Sequence, residues 1–353
     1  MIRVFMTGQH SHRTPLSYPA LAPLWRSTIS LVERPEQADL YLFSHVPDIE
    51  AAPRAVVEDW RHRQCPVVLL SEEPFWDTIW GKRPMAPLIY VETDYGALPV
   101  VQINHQTSTL YDFDTIPYYL LTNPRFARAY QSLFQRNAAL SAQDWRAAFQ
   151  HRQADLVFMF ERRPEPWHDV SWPEGDVTGL CAWRTRLAMS CRGPRVEHLG
   201  HSWQGGPRRQ ALPDWHKDKL SRLDGRTVLL SALENTHQPH YLTEKIFDAF
   251  ACGAIPFYWA SPAHRIHGIG LPPESWINLH GLTPEKAAEE IMAYRPDAEV
   301  FEAYAEAQTT LVQLFCDAHT WEAERARLAR ALPAALQAVL NSAQPIKGQA
   351  VTS

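Results

Sequence analysis

Short apolar runs alternate along this chain with longer stretches in which apolar positions return every three or four residues. Ile2–Met6, Leu40–Phe43, Val67–Leu70, Leu88–Val91 and residues 100–103 read as strands. Residues 53–63 and much of 123–150 have helical spacing. A second series follows: a strand over 156–160, a helix over 179–191, a strand at Val196–Leu199, a helix over 214–223 and a strand at 228–230. Strands alternating with helices predict parallel α/β units, here two in succession, each doubly wound and Rossmann-like. The expected division is 1–152, 153–316, a last helix over 317–341 and a disordered tail over 342–353. Residues 284–294, 297–315 and 321–340 read as helices, with Pro296 and Pro333 as breakers or kinks.

The most informative segment is residues 228–262. An apolar strand, Val228-Leu229-Leu230, runs into the polar block Glu234-Asn235-Thr236-His237. Thr243-Glu244-Lys245 then opens a helix with the apolar face Ile246, Phe247, Ala249 and Phe250, which Gly253 stops before a strand at 255–259. In open α/β sheets ligands bind beyond the carboxyl ends of the strands. Helix N-termini there favour anions, because free N–H groups and the dipole point at them. A carboxylate, an amide and a lysine gathered at such a point suit a nucleotide with its phosphates.

Composition narrows the partners. At 353 residues, 45% hydrophobic and 21% charged, the chain is long enough for two ordinary globular domains. A formal net charge of −5 gives no case for nucleic acid. Lysine occurs only at Lys82, Lys217, Lys219, Lys245, Lys286 and Lys347, so a lysine inside the central segment stands out. Cys65, Cys181, Cys191, Cys252 and Cys316 form no C-x-x-C pair, which points to a reducing compartment, hence the cytoplasm. No segment offers the ~20 apolar residues needed to span a bilayer.

Glu234-Asn235-Thr236, then Tyr241-Leu-Thr243-Glu244-Lys245, then Gly253-Ala-Ile-Pro256-Phe-Tyr258 resemble the donor-binding signature of the α-1,3/1,4-fucosyltransferases, glycosyltransferase family 10. The chain departs from that pattern at Ala260, where glycine is usual, and at Ala232 and Leu233, where an aromatic-rich pair is usual. The resemblance implies a soluble, bacterial-type member with GT-B architecture, two Rossmann-like domains facing across a cleft. It implies an inverting enzyme that moves L-fucose from GDP-β-L-fucose to a glycan hydroxyl in α-1,3 or α-1,4 linkage, in bacterial surface polysaccharide or lipopolysaccharide synthesis. The first domain would bind the acceptor and the second the GDP-sugar. No resident cofactor or metal is expected, and metal stimulation and oligomeric state stay open. The amphipathic segment from Trp321 could cross back onto the first domain or touch an anionic inner-membrane surface.

Inverting transfer needs a base for the acceptor hydroxyl, charge to neutralise the departing diphosphate, and a grip on the nucleotide. Lys245 is the first candidate for the leaving group. By resemblance Arg184 is the second cation, with Arg186, two residues on, the alternative if the register slips; a guanidinium presents a planar fork to phosphate. Glu244 would grip a ribose diol, and Glu234, Asn235, Tyr241 and Thr243 complete the donor set. For the base, Glu72 at the end of the strand Val67–Leu70 matches a family glutamate, with Glu73 beside it as the alternative. The neighbouring charge is expected to raise one of the two pKa values. As adjacent residues on a strand the pair is expected to point to opposite faces, which disfavours a glycoside hydrolase. Glu73, His10 and His45 are candidates for contact with the acceptor, and Asp112 and Asp114 read as solvated loop acids. Two alternatives remain: a transferase for another GDP-6-deoxyhexose, and a carbohydrate-binding homologue without catalysis.

Overall fold

The structure is a computed structural model that describes residues 1–81 and 83–343. The expected tail lies, from residue 344 on, outside the described residues. The chain divides into two compact units. Met1–Phe113, Leu121–Asn123 and the segment from Glu322 form the first; Asp114–Leu120 and Pro124–Trp321 form the second.

The first unit is built on six strands: β1 (Ile2–Met6), β2 (Ile29–Leu31), β3 (Leu40–Phe43), β4 (Val67–Leu70), β5 (Leu88–Val91) and β6 (Leu98–Ile103). Their order is β2-β1-β3-β4-β6-β5, parallel except for β5, which runs antiparallel to β6. β3 and β4 are buried at every position, as expected for strands covered on both faces. Tyr41, Phe43, Val67, Leu69 and Val100 pack there with Ile49, Val56 and Val57 of the flanking helices. The order reverses between β1 and β3, so the loops after those two strands flank a switch point, where such sheets bind ligands.

The second unit holds β7 (Ala154–Met159), the short β8 (Ser171–Trp172) and β9 (Val177–Gly179), β10 (Val196–Leu199), β11 (Thr227–Ser231), β12 (Thr236–His237), β13 (Ile255–Tyr258) and β14 (Ile277–Asn278). Five of these make a parallel sheet in the order β10-β7-β11-β13-β14, with its switch point between β7 and β11. The remaining three make a small antiparallel sheet, β12-β9-β8. Both units therefore have the α/β class and parallel sheets that the hydrophobic pattern predicted.

Three boundaries differ from the sequence expectation. The helical stretch 123–150 is two helices, Arg125–Ala138 and Ala142–Gln150, separated by a capping box in which Ser141 and Asp144 exchange hydrogen bonds. Both helices belong to the second unit, because Asn137 Nδ2 donates to the carbonyls of Phe250 (3.0 Å) and Ala251 (3.1 Å) and Arg152 Nη2 to that of Gly253 (2.8 Å). The unit boundary thus falls near Phe113–Asp114 and not at 152. The last helix, Ala318–Ala343, runs through Pro333 without a break. From Glu322 on it groups with the first unit, where Arg325 donates to the carbonyl of Ala20 and Arg327 to that of Leu110, both at 3.0 Å. No helix among the described residues is long and apolar enough to cross a membrane.

The helix Glu244–Ala251 is fixed to its neighbours by a fully buried carboxylate. Asp248 Oδ1 accepts from Tyr130 Oη at 2.6 Å and lies 2.7 Å from His216 Nε2, while Oδ2 lies 2.8 Å from Lys219 Nζ. Burial alone would raise this carboxyl, but the charges of Lys219 and His216 outweigh it and hold it at about 2. The same pairing raises the buried Lys219 against its own desolvation. Removing one member strands the others in a dry interior, so Asp248→Ala is expected to cost about 3–5 kcal/mol in denaturant unfolding. Because the folded pKa is depressed, the stability Asp248 supplies is complete above the ordinary carboxylate value of about 4. It is lost as pH falls from there through about 2, which acid titration of the unfolding free energy of wild type and variant checks.

Candidate functional site

β11 carries the chain to the carboxyl edge of the second sheet, where the buried Ala232 and Leu233 lead to Glu234. β12 then pairs with β9, Thr236 opposite Gly179, and β9 runs directly into the helix Cys181–Ser190. The amide of Leu180 donates to the carbonyl of Asn235 at 2.9 Å, tying that helix to the polar block. Glycine at 179 is required by closeness: a Cβ there would stand 2.6 Å from the carbonyl oxygen of His168. Downstream, Gly253 ends the helix Glu244–Ala251 at φ +68°, a conformation L side chains resist.

Glu234 is almost completely buried and organises the helix start. Its Oε1 accepts from the amide (2.9 Å) and the hydroxyl (2.7 Å) of Thr243, and its Oε2 from Lys245 Nζ at 2.7 Å. A remote carboxylate thus serves the N-cap, whose own side chain makes no capping bond. Lys245 Nζ also donates to Thr243 Oγ1 at 2.8 Å and lies 3.7 Å from Glu244 Oε1. Burial would lower the Lys245 ammonium, but Glu234 and Glu244 raise it, so it is a firm cation. Burial lifts the Glu234 carboxyl above its ordinary value despite that lysine. Glu244 goes the other way: burial pushes it up, and Lys245 and Lys219 pull it below the usual range. An ionised carboxylate is left at the helix start, and its buried oxygen Oε2 has no hydrogen-bond partner among the described residues.

Arg184 is the second unsatisfied group. It is only 5% exposed. Nη1 donates to the carbonyl of Leu233 at 3.0 Å, the guanidinium lies 4.7 Å over the ring of Phe160, and the buried Nε has no partner among the described residues. It makes no ion pair with any carboxylate among the described residues. Phe160 follows β7 and Leu233 follows β11, so this cation sits at the sheet's switch point. Arg186, one alternative on the same helix, is exposed and pairs with Asp169 at 3.2 Å. A separate cavity of about 490 Å³ in this unit opens by Asp155, Val196 and Val228, toward the amino ends of β7, β10 and β11, the edge away from these groups.

In the first unit, Glu72 and Glu73 follow β4 at its carboxyl end. The expectation that they diverge does not hold, because both lie beyond the last strand residue and meet one guanidinium. Arg13 Nε donates to Glu72 Oε1 at 3.2 Å and Arg13 Nη2 to Glu73 Oε2 at 2.6 Å. Tyr18 Oη donates to the same Glu72 oxygen at 2.6 Å. Trp76 Nε1 donates to Glu73 at 3.1 Å. His10 and His45 stack with centroids 4.6 Å apart beside Trp80, at the switch point between β1 and β3. Burial and the neighbouring His10 and Arg13 lower His45 to about 4. Asp48 joins the two histidines in a group with metal-ligand spacing. Its oxygens already accept from the amides of Gln9 and His10, each at 3.1 Å, and meet His10 Nδ1 at 2.9 Å, so loop closure accounts for it.

Residues 201–333 match the family model described as glycosyltransferase family 10 (fucosyltransferase), C-terminal. The motif from Glu234 to Tyr258 lies within that segment, and Arg184 and Glu72 lie before it. No curated protein matches the chain. Among solved structures, a crystal structure of an alpha1,3-fucosyltransferase is 14% identical over 90% of this chain and 81% of its own, with a TM-score of 0.39. An alpha1,3-fucosyltransferase with GDP-fucose is 15% identical over 91% and 90%, TM-score 0.41, and one with GDP is 14% identical over 91% and 92%, TM-score 0.36. Likeness of that looseness bears on neither substrate nor mechanism.

The structure gathers Glu234, Thr243, Glu244 and Lys245 into one cluster, and ties Arg184 to the loop that leads into it. Tyr241 is buried, and its carbonyl accepts from His264 Nε2 at 3.2 Å, so it packs beneath the loop. Asn235 is half-buried, and its backbone holds the Arg184 helix. The side chain of Asp114 is 89% exposed, as a solvated acid should be. Sequence reasoning missed Arg13, Tyr18 and Asp48, and it treated Glu234 as one more donor contact. A buried acid nine residues before the helix-opening Thr243 was the available signal for the clamp. Glu234→Ala removes the acceptor of three hydrogen bonds, and thermal and denaturant unfolding should show a loss of about 1–3 kcal/mol.

Proposed function

We propose that this chain is a glycosyltransferase that moves L-fucose from GDP-β-L-fucose to a glycan hydroxyl with inversion, in α-1,3 or α-1,4 linkage. One observation carries the reading: Arg184, a buried cation with no carboxylate partner among the described residues, stands at the switch point beside the loop that leads to Glu234 and Lys245. A buried unpaired charge is costly, and a phosphate supplies its counterion. The match of residues 201–333 supports the family, and the resemblance of the motif supports the donor.

In this reading Arg184 and Lys245 hold the diphosphate, and Glu244 accepts from the ribose hydroxyls through Oε2. Asn235, Tyr241 and Thr243 shape the pocket, and Glu234 keeps Lys245 aimed. The first unit binds the acceptor, with Glu73, His10 and His45 beside it, and supplies the base, Glu72. The acceptor hydroxyl gives its proton to the Glu72 carboxylate while its oxygen bonds to the anomeric carbon. The bond from that carbon to the diphosphate breaks on the opposite face, and its electron pair leaves on GDP. Arg184 and Lys245 stabilise that charge as it grows, a stabilisation worth several kcal/mol. The product belongs to bacterial surface polysaccharide or lipopolysaccharide synthesis. The five free cysteines support a cytoplasmic setting, with peripheral inner-membrane contact through the last helix.

Calorimetric titration should show GDP and GDP-fucose binding with EDTA present, because two side-chain cations neutralise the diphosphate; selective binding of UDP-glucose would sink the reading. Lys245→Ala should abolish transfer to N-acetyllactosamine or lactose while circular dichroism stays native, and full activity in that variant would remove Lys245 from the site. A second reading, transfer of another GDP-6-deoxyhexose, is favoured by the buried Ala260 where the family has glycine. Competition among GDP-sugars separates the two, and turnover of any donor excludes a merely binding homologue.

A further inference from the structure

We propose that Arg13 is a positioning residue for the Glu72 carboxylate, its guanidinium bridging Glu72 and Glu73 so that Glu72 is held ionised and in one orientation. The inference rests on the reading of Glu72 as the base.

Two adjacent carboxylates at a strand end repel, and one of such a pair ordinarily gains a proton. Burial sharpens the problem, since Glu72 is 7% exposed. Arg13 resolves it with a fork: Nε reaches Glu72 at 3.2 Å and Nη2 reaches Glu73 at 2.6 Å. A guanidinium serves two carboxylates at once because its donors are planar and fixed; an ammonium is a point charge without that geometry. Burial would lower the Arg13 pKa, but Glu73 and Glu72 raise it well above the ordinary value, so the bridge keeps its charge.

The loop after β1 is folded to deliver this group. The Arg13 amide donates to the carbonyl of His10 at 2.8 Å, Thr14 is fully buried, and the turn Pro15–Ser17 brings Tyr18 to the same carboxylate. Tyr18 Oη and Arg13 Nε both donate to Oε1, which fixes the rotation of the carboxylate. Among the described residues, Tyr111 and His105 from the segment after β6 also face Glu72, and Asp77 faces Glu73. Burial raises Asp77 to about 7, and His105 Nε2 lies 3.1 Å from the Glu72 carbonyl. His45 faces Arg13 and Glu73. Of the groups named, Arg13 is the fixed cation, and its fork spans both carboxylates.

The test uses the full chain labelled with carboxyl-¹³C glutamate, with the Glu72 resonance assigned by its loss in Glu72→Gln. In Arg13→Met the titration midpoint of Glu72 should rise by about one unit or more, and Arg13→Lys should restore part of the difference. The acid limb of kcat/KM for transfer from GDP-fucose should move up by the same amount, with kcat falling at pH 6 and recovering at pH 8. An unchanged midpoint, or a loss of rate equal at every pH, would overturn the proposal. If Arg13→Met does not fold, Arg13→Gln, which also removes the charge but keeps polarity, gives the same comparison. The midpoint is read without turnover: a wild-type protein that transfers no fucose would refute the proposed reaction, and a raised Glu72 midpoint would still establish the Arg13 bridge.

Discussion

Buried charge is the constraint that shapes the second unit. Asp248 has no exposure, and it is tolerated only because Tyr130, His216 and Lys219 meet its two oxygens. Those partners come from the helices Arg125–Ala138 and Trp215–Leu223, so the carboxylate pins both to the helix Glu244–Ala251. A hydrophobic contact would allow these helices to slide; ionic hydrogen bonds of 2.6–2.8 Å in a dry interior do not. The first residue of the pinned helix is Glu244, followed by Lys245. The precision of the candidate site is thereby set one turn below it.

At the site itself pairing is incomplete, and that incompleteness is informative. Glu234 engages Lys245 and the N-cap, whereas among the described residues Glu244 keeps one buried oxygen without a hydrogen-bond partner and Arg184 a buried nitrogen. Interiors seldom leave such groups unsatisfied, and each exception calls for a partner, a water, an ion or a ligand among them. One group wants a donor and the other an anion, which is what a ribose diol and a diphosphate offer. The first unit shows the complementary arrangement. There two carboxylates crowd a strand end, and a cation from the loop after β1 supplies what the strand itself lacks.

Much of this was legible in the chain. β3 and β4 fall where consecutive apolar residues put them, because a strand buried on both faces leaves a local signature; β1, β5 and β10 also fall on the expected residues, though each keeps exposed or half-buried positions. The motif residues Glu234, Thr243, Glu244 and Lys245 were identifiable because a strand end, a polar loop and a helix start are consecutive in sequence. β8, β9, β12 and β14 were invisible, since two or three residues carry no period. Their consequence is large, because β9 and β12 join the Arg184 helix to the polar loop.

The sequence by itself determined the α/β class and the carboxyl-edge motif, since each rests on residues near one another in the chain. Only the tertiary structure decided which unit owns Arg125–Gln150, which arginine of the helix Cys181–Ser190 is buried, and that Arg13 meets Glu72 and Glu73. Those outcomes depend on contacts between residues tens to more than a hundred positions apart. Local propensity does not encode them; the burial of charge, which must find a partner wherever the fold puts one, does.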